Sequence, residues 1–160
     1  MSDAPDFELI CKSCIGEELD EGECRVLAAI MGIMRLCDGD LLVSEGQNDD
    51  TLFVLIAGRL AVSNFVAGKD VWVYTMTEGE CAGTRAFVDR TPRKATLRAV
   101  GETLLYTLEP DAFEALHETH PRIVYRVMRG LFRLTHANLM RMNYQSQELI
   151  NYVSKIGGRY

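Results

Sequence analysis

Histidine is scarce in this chain, and the three present, His117, His120 and His136, all fall in its C-terminal third. A metal-dependent barrel enzyme needs imidazoles clustered on strands, so their placement excludes most of that class and predicts no metal. No Ser/His/Asp or Cys/His arrangement and no Walker-type loop occurs either, and no catalytic residue is expected. Long apolar runs are missing: nothing approaches the ~18–20 unbroken residues of a membrane span. The start, MSDAPDFELI, is acidic and lacks the basic and apolar regions of a signal peptide. A cytoplasmic location with no membrane contact is therefore expected. A basic surplus is absent too, since 17 Lys and Arg face 23 Asp and Glu for a net charge of −6. That argues against a generic nucleic-acid surface but leaves room for a local cationic patch. The five cysteines are an odd number. They predict reduced thiols and no disulfide framework. Cys11 and Cys14 form a lone C-x-x-C with no second pair or nearby histidine to make a zinc site. Cys37 and Cys81 flank apolar residues and read as small buried side chains.

What is present fits one domain over residues 1–160, long enough to bury a core. Residues 1–38 read as helical, with Asp20 capping a helix that carries Leu27, Ile30, Met31 and Met34. The period then changes. Residues 40–44, 51–58, 59–66, 70–76, 95–100 and 103–108 are short, rich in β-branched and aromatic side chains, and separated by glycine turns. Strands at this density predict an antiparallel β-roll or jelly roll over residues 39–108. The fold class is mainly β with flanking helices (α+β). Pro110 suits a first helical position, and Pro121 opens a long stretch that the glycines after Ile156 end. There Tyr125, Met128, Phe132, Thr135, Leu139, Met142, Ser146, Leu149, Val153 and Ile156 alternate spacings of three and four. This heptad seam, on a helix of the order of 50 Å, predicts that residues 109–156 form a lid and a dimerisation helix. An apolar stripe running beyond the barrel is usually buried by another copy, so a homodimer is expected.

Residues 83–97, GTRAFVDRTPRKATL, gather Arg85, Arg90, Arg93 and Lys94 around a turn. A glycine-started short helix beside an arginine is suited to an anion, because backbone N–H groups and a planar fork of charged donors converge. Charges around turns are also commonly solvated, and Arg93 has acids such as Asp89 to pair with.

The order of elements, with Gly39-Asp40, Glu45-Gly46, Asp50 and Gly58 at turns and GECAGTRAFVDRTPRKATLRA following, resembles the cyclic-nucleotide-binding domain family. That family includes bacterial catabolite activator proteins and the regulatory domains of kinases and channels. The resemblance covers about Leu27 to Leu134. It implies that Gly83 starts the phosphate-binding cassette and that Arg93, after Pro92, holds a cyclic phosphate. Thr84 stands where the family places a glutamate for the ribose 2′-hydroxyl. Arg85 replaces a usually apolar residue, and Lys94 adds a cation beside Arg93. Three readings stay open: a weak site for cAMP or cGMP, a site for another phosphate-bearing and more anionic ligand, or a lost site. Asn138, and after it His136, are the long-helix positions for contact with a ligand base. The implied role is a stand-alone regulatory or sensory module without a cofactor, signalling through its C-terminal helices to an unidentified protein partner. The alternatives are a ligand-independent dimeric interaction protein and the sensory fragment of a longer transcription regulator. No recognition helix follows the long helix, so no DNA binding by this chain alone is expected.

Overall fold

The structure, a computed structural model, describes residues 4–157. Two short helices, α1 (Phe7–Cys11) and α2 (Glu21–Ile30), precede the sheet. Asp20 closes a reciprocal cap on α2: its carboxylate accepts from the Glu23 backbone at 2.8 Å, and the Glu23 carboxylate accepts from the Asp20 backbone at 3.0 Å. The helix ends at Ile30, earlier than the apolar spacing predicts. Met34 lies instead on β1 (Gly32–Leu36), so the expected helical segment 1–38 gives way to a strand at its end. The reason is tertiary: β1 pairs along β6 from Gly32↔Thr107 to Leu36↔Thr103, and edge pairing overrides a short helical pattern.

The remaining strands are β2 (Leu41–Val43), β3 (Leu52–Val66), β4 (Lys69–Met76), β5 (Cys81–Ala82) and β6 (Thr96–Leu108), all paired antiparallel in the order β1-β6-β3-β4, with β2 on β6 and β5 on β3. Segments 51–58 and 59–66 form one bent strand, as do 95–100 and 103–108. Gly58, at φ +91°, carries the bend in β3, where a Cβ would collide with the Glu102 carbonyl oxygen. The register between β3 and β6 shifts around it, which curls the sheet into a roll.

Side chains of β3 alternate between two cores. Leu52 and Val54 face a layer built with Ile10, Leu27, Phe113, Ile123 and Val127 from the helices. Phe53 and Leu55 face the roll interior with Val43, Leu60, Leu97 and Leu105. Both faces of this strand are buried, as its unbroken apolar run requires. Beyond β6, Pro110 occupies the first turn of α4 (Pro110–Thr119), and Pro121 opens α5 (Pro121–Gly157), 37 residues and roughly 55 Å long. The first turns of α5 bury Ile123, Val127 and Leu131, and arginines beside them hold the N-terminal segment. Arg126 and Arg122 reach Glu23 at 2.7 and 3.5 Å, and Arg129 and Arg133 both pair with Glu18. From Thr135 to Gly157 every residue is exposed. No helix among the described residues is long and apolar enough to cross a membrane.

The cysteines depart from expectation. Cys11 is bonded to Cys24 and Cys14 to Cys81, while Cys37 is free and exposed. The fold brings α1 beside α2 and lays residue 14 along the turn before β5, where the Cys14 N–H donates to the Gly79 carbonyl at 3.0 Å. Sequence spacing carried no sign of that approach. The bonds span separations of 13 and 67 residues. Chain-entropy arguments assign about 3 and about 4 kcal/mol to loops of those lengths. Reductant is therefore expected to lower the melting temperature, with most of the loss reproduced by Cys81→Ala. Identical melting curves with and without reductant would contradict the pairing.

Candidate functional site

The cassette lies between β5 and β6. Ala82 pairs with Phe53, which sets Gly83 against the start of β3. Gly83 has φ +83° and begins the short helix α3 (Thr84–Asp89), which ends on a left-handed Arg90 at φ +56°. Ala86 and Phe87 turn inward and anchor that helix. The chain then returns through Pro92 to Arg93, whose N–H donates to the Gln47 carbonyl at 2.9 Å while its carbonyl accepts from the Gly46 N–H at 2.8 Å. The Glu45-Gly46 turn thus fixes the backbone that presents Arg93.

Arg93 is 4% exposed, which is unusual for a cation. Its Nη2 donates to the Thr51 carbonyl at 2.6 Å and lies 3.3 Å from Asp49 Oδ1. The guanidinium carbon sits 5.2 Å from the centre of the Phe53 ring. Nε and Nη1 are buried and have no hydrogen-bond partner among the described residues. Nη1 occupies the space that a Cβ on residue 83 would need, so the cation and the glycine fit only together. Burial pulls the guanidinium below its ordinary pKa, while Asp49, Asp50 and Glu109 act in the opposite sense. It remains cationic at any ordinary pH. For Asp49 burial acts upward, but hydrogen bonds from Thr51 and the Arg93 charge outweigh it and hold the carboxyl below its usual value.

A cavity of about 230 Å³ opens here. Gly83, Thr84, Arg85, Arg93 and Lys94 line it together, facing an apolar floor of Val62, Met76 and Leu97. Five of the six residues predicted as a site therefore meet at one place. The sixth, Asn138, does not: it is exposed on α5 and accepts from Arg141 Nη2 at 2.8 Å. His136 stacks on Phe132 with ring centres 6.1 Å apart. A second cavity, of about 440 Å³, shares Thr84 and Arg85 and runs on between α3 and α5, lined by Val88, Asp89, Met128 and Phe132 among others.

Two cations of the cassette have ion-pair partners that the sequence did not indicate. Arg93 pairs with Asp49 and not with Asp89. Arg90, expected to be solvated, binds Asp111 and Glu114 at 3.0 Å each and Asp50 at 3.7 Å, tying the end of α3 to α4. Thr51 and Glu109 also escaped notice: the Thr51 hydroxyl donates to Glu109 Oε1 at 2.9 Å, locking the strand start that supports Arg93. The adjacent Asp49-Asp50 pair was the one visible signal, and it reads equally well as a turn.

Comparison with known proteins gives a consistent result. The profile described as the cyclic nucleotide-binding domain matches residues 33–120, more than half of the chain. The cGMP-dependent protein kinase of Eimeria tenella is 27% identical over 110 residues, which is 69% of this chain and 11% of that protein. The chain thus spans about a tenth of that relative's length. A cyclic nucleotide-binding domain from Methylobacillus flagellatus superposes with a TM-score of 0.80 at 23% identity, covering 88% of this chain and 81% of its own. The regulatory domain of Toxoplasma gondii PKA, solved with cAMP, gives a TM-score of 0.63 at 25% identity, over 68% of this chain and 42% of its own.

Proposed function

The chain belongs to the cyclic nucleotide-binding domain family, and on that premise we propose that it is a non-catalytic sensory module that captures a phosphate-bearing ligand, cAMP or cGMP in the first instance, on Arg93. The single observation that carries this reading is the unmatched pair of donors on that residue. Leaving a buried charged donor without a partner is costly. A phosphate in the adjoining cavity supplies the acceptors that Nε and Nη1 lack. The regulatory domain of Toxoplasma gondii PKA was solved with such a ligand.

A route from the cassette to the helices supports a signalling role. Phe87 of α3 packs on Phe113 of α4 with ring centres 5.4 Å apart, and Arg90 bridges the same two helices through Asp111 and Glu114. A ligand that repositions α3 therefore acts on α4 and, through the turn at His120, on α5. It shifts that arrangement only by its differential affinity for the two positions. Purified protein is expected to gain about 5–10 °C in melting temperature at a ligand concentration 100 times its dissociation constant. Arg93→Lys, which keeps the charge but loses the fork, should remove most of the gain. No gain with either nucleotide at millimolar concentration would overturn the reading.

The exposed part of α5 supports self-association. Phe132, Leu139, Met142, Leu149, Val153 and Ile156 are each more than half exposed and continue one stripe, a surface of the kind a second copy of this helix covers. Sedimentation should give a dimer for the whole chain and a monomer after Leu139→Glu with Leu149→Glu. A monomeric whole chain would contradict this, and a dimer indifferent to every nucleotide would favour the alternative of a ligand-independent interaction protein.

A further inference from the structure

Resting on that reading of the cassette, we propose that its ligand carries two or more negative charges, with one phosphate seated on Arg93 and the additional charge held by Arg85 and Lys94. The residues lining the cavity include three cations and no carboxylate. Arg93 alone is partly neutralised, by Asp49 at 3.3 Å. Arg85 and Lys94 are exposed and form no ion pair among the described residues, although the chain as a whole is acidic. Both flank Arg93 at the mouth of the same cavity. Arg90, the fourth cation of this loop, differs from them, because it is fully engaged with Asp50, Asp111 and Glu114. The loop thus commits one cation to architecture, buries one, and leaves two free at the entrance.

A cyclic mononucleotide brings one phosphate, which the unmatched donors of Arg93 take. It leaves Arg85 and Lys94 without a task. A second phosphate adds charge-assisted hydrogen bonds to those two side chains, which concentrates the counter-ion in a site with a low-dielectric floor. The position after Gly83 points the same way. Thr84 offers a hydroxyl and no negative charge, so the cavity wall presents nothing that repels a further phosphate.

The test is calorimetric titration of two probes with the same base and sugar, adenosine 3′,5′-cyclic monophosphate as the monoanion and adenosine 3′,5′-bisphosphate as the more highly charged ligand. Titrations use the whole chain, the double variant Arg85→Gln with Lys94→Gln, and Arg93→Lys. The bisphosphate is expected to bind the unaltered chain about tenfold more tightly than the cyclic monoester. In the double variant that ratio falls to about one while the melting temperature of the free protein stays unchanged, because both side chains are exposed. Arg93→Lys weakens both probes. Cyclic monoester binding as tight as the bisphosphate, or a preference that survives in the double variant, overturns the inference and leaves the functional reading standing. Binding of neither probe overturns both.

Discussion

One buried guanidinium organises this molecule. Arg93 is held by the Thr51 carbonyl and Asp49 on one side and left with two unmatched donors on the other. Everything around it is arranged to tolerate that state. Gly83 gives up a side chain so that Nη1 has room, and Phe53 supplies a ring face beside the cation. The Glu45-Gly46 turn clamps the backbone of Arg93 from both directions, while Glu109 fixes Thr51. A half-satisfied buried charge costs stability and needs a reason to be kept; the ligand proposed above supplies one.

The same local design explains how the roll and the helices act as one unit. β3 is shared between the two cores, so its first residues report on both. Thr51 and Phe53 touch Arg93, whereas Leu52 and Val54 pack under the helices. The cassette helix reaches the helical layer through Phe87, and Arg90 latches its end to α4. Glu23 shows the economy of this arrangement. It completes the cap of α2 and at the same time binds Arg126 on α5, so the N-terminal segment and the long helix are tied together. The Cys14–Cys81 bond ties that segment to the strand leading into Gly83.

Much of this could be read from the residues. Asp20, Pro110 and Pro121 announced helix starts through caps and backbone restriction, which are local effects that local sequence encodes. The roll followed from strand density and turn residues. Gly83, Thr84, Arg85, Arg93 and Lys94 were gathered by chain proximity, and the fold keeps them together. What was illegible depends on contacts distant in sequence. Met34 left its helical pattern because β6 offered a strand partner some seventy residues away, at Leu105. Gly58 and the glycine at 101 looked like strand breaks and proved to be bends within continuous strands. Asp49, Thr51 and Glu109 support Arg93 from outside the cassette. Cys11, Cys14, Cys24 and Cys81 meet only once α1, α2 and β5 are in place. Asn138 lies away from the cassette cavity, because helical phase does not reveal how far a helix has already passed beyond the barrel.

The most direct test of the central claim is the side-chain Nε–H signal of Arg93, observed by proton–nitrogen NMR in arginine-labelled protein and assigned by its loss in Arg93→Lys. In the free protein this proton has no acceptor among the described residues. On saturation with a bound nucleotide it should move downfield and exchange more slowly with water, because a phosphate oxygen now accepts from it. A nucleotide that binds while leaving this signal in place would show that the ligand rests elsewhere, and that the unmatched donors of Arg93 serve no anion.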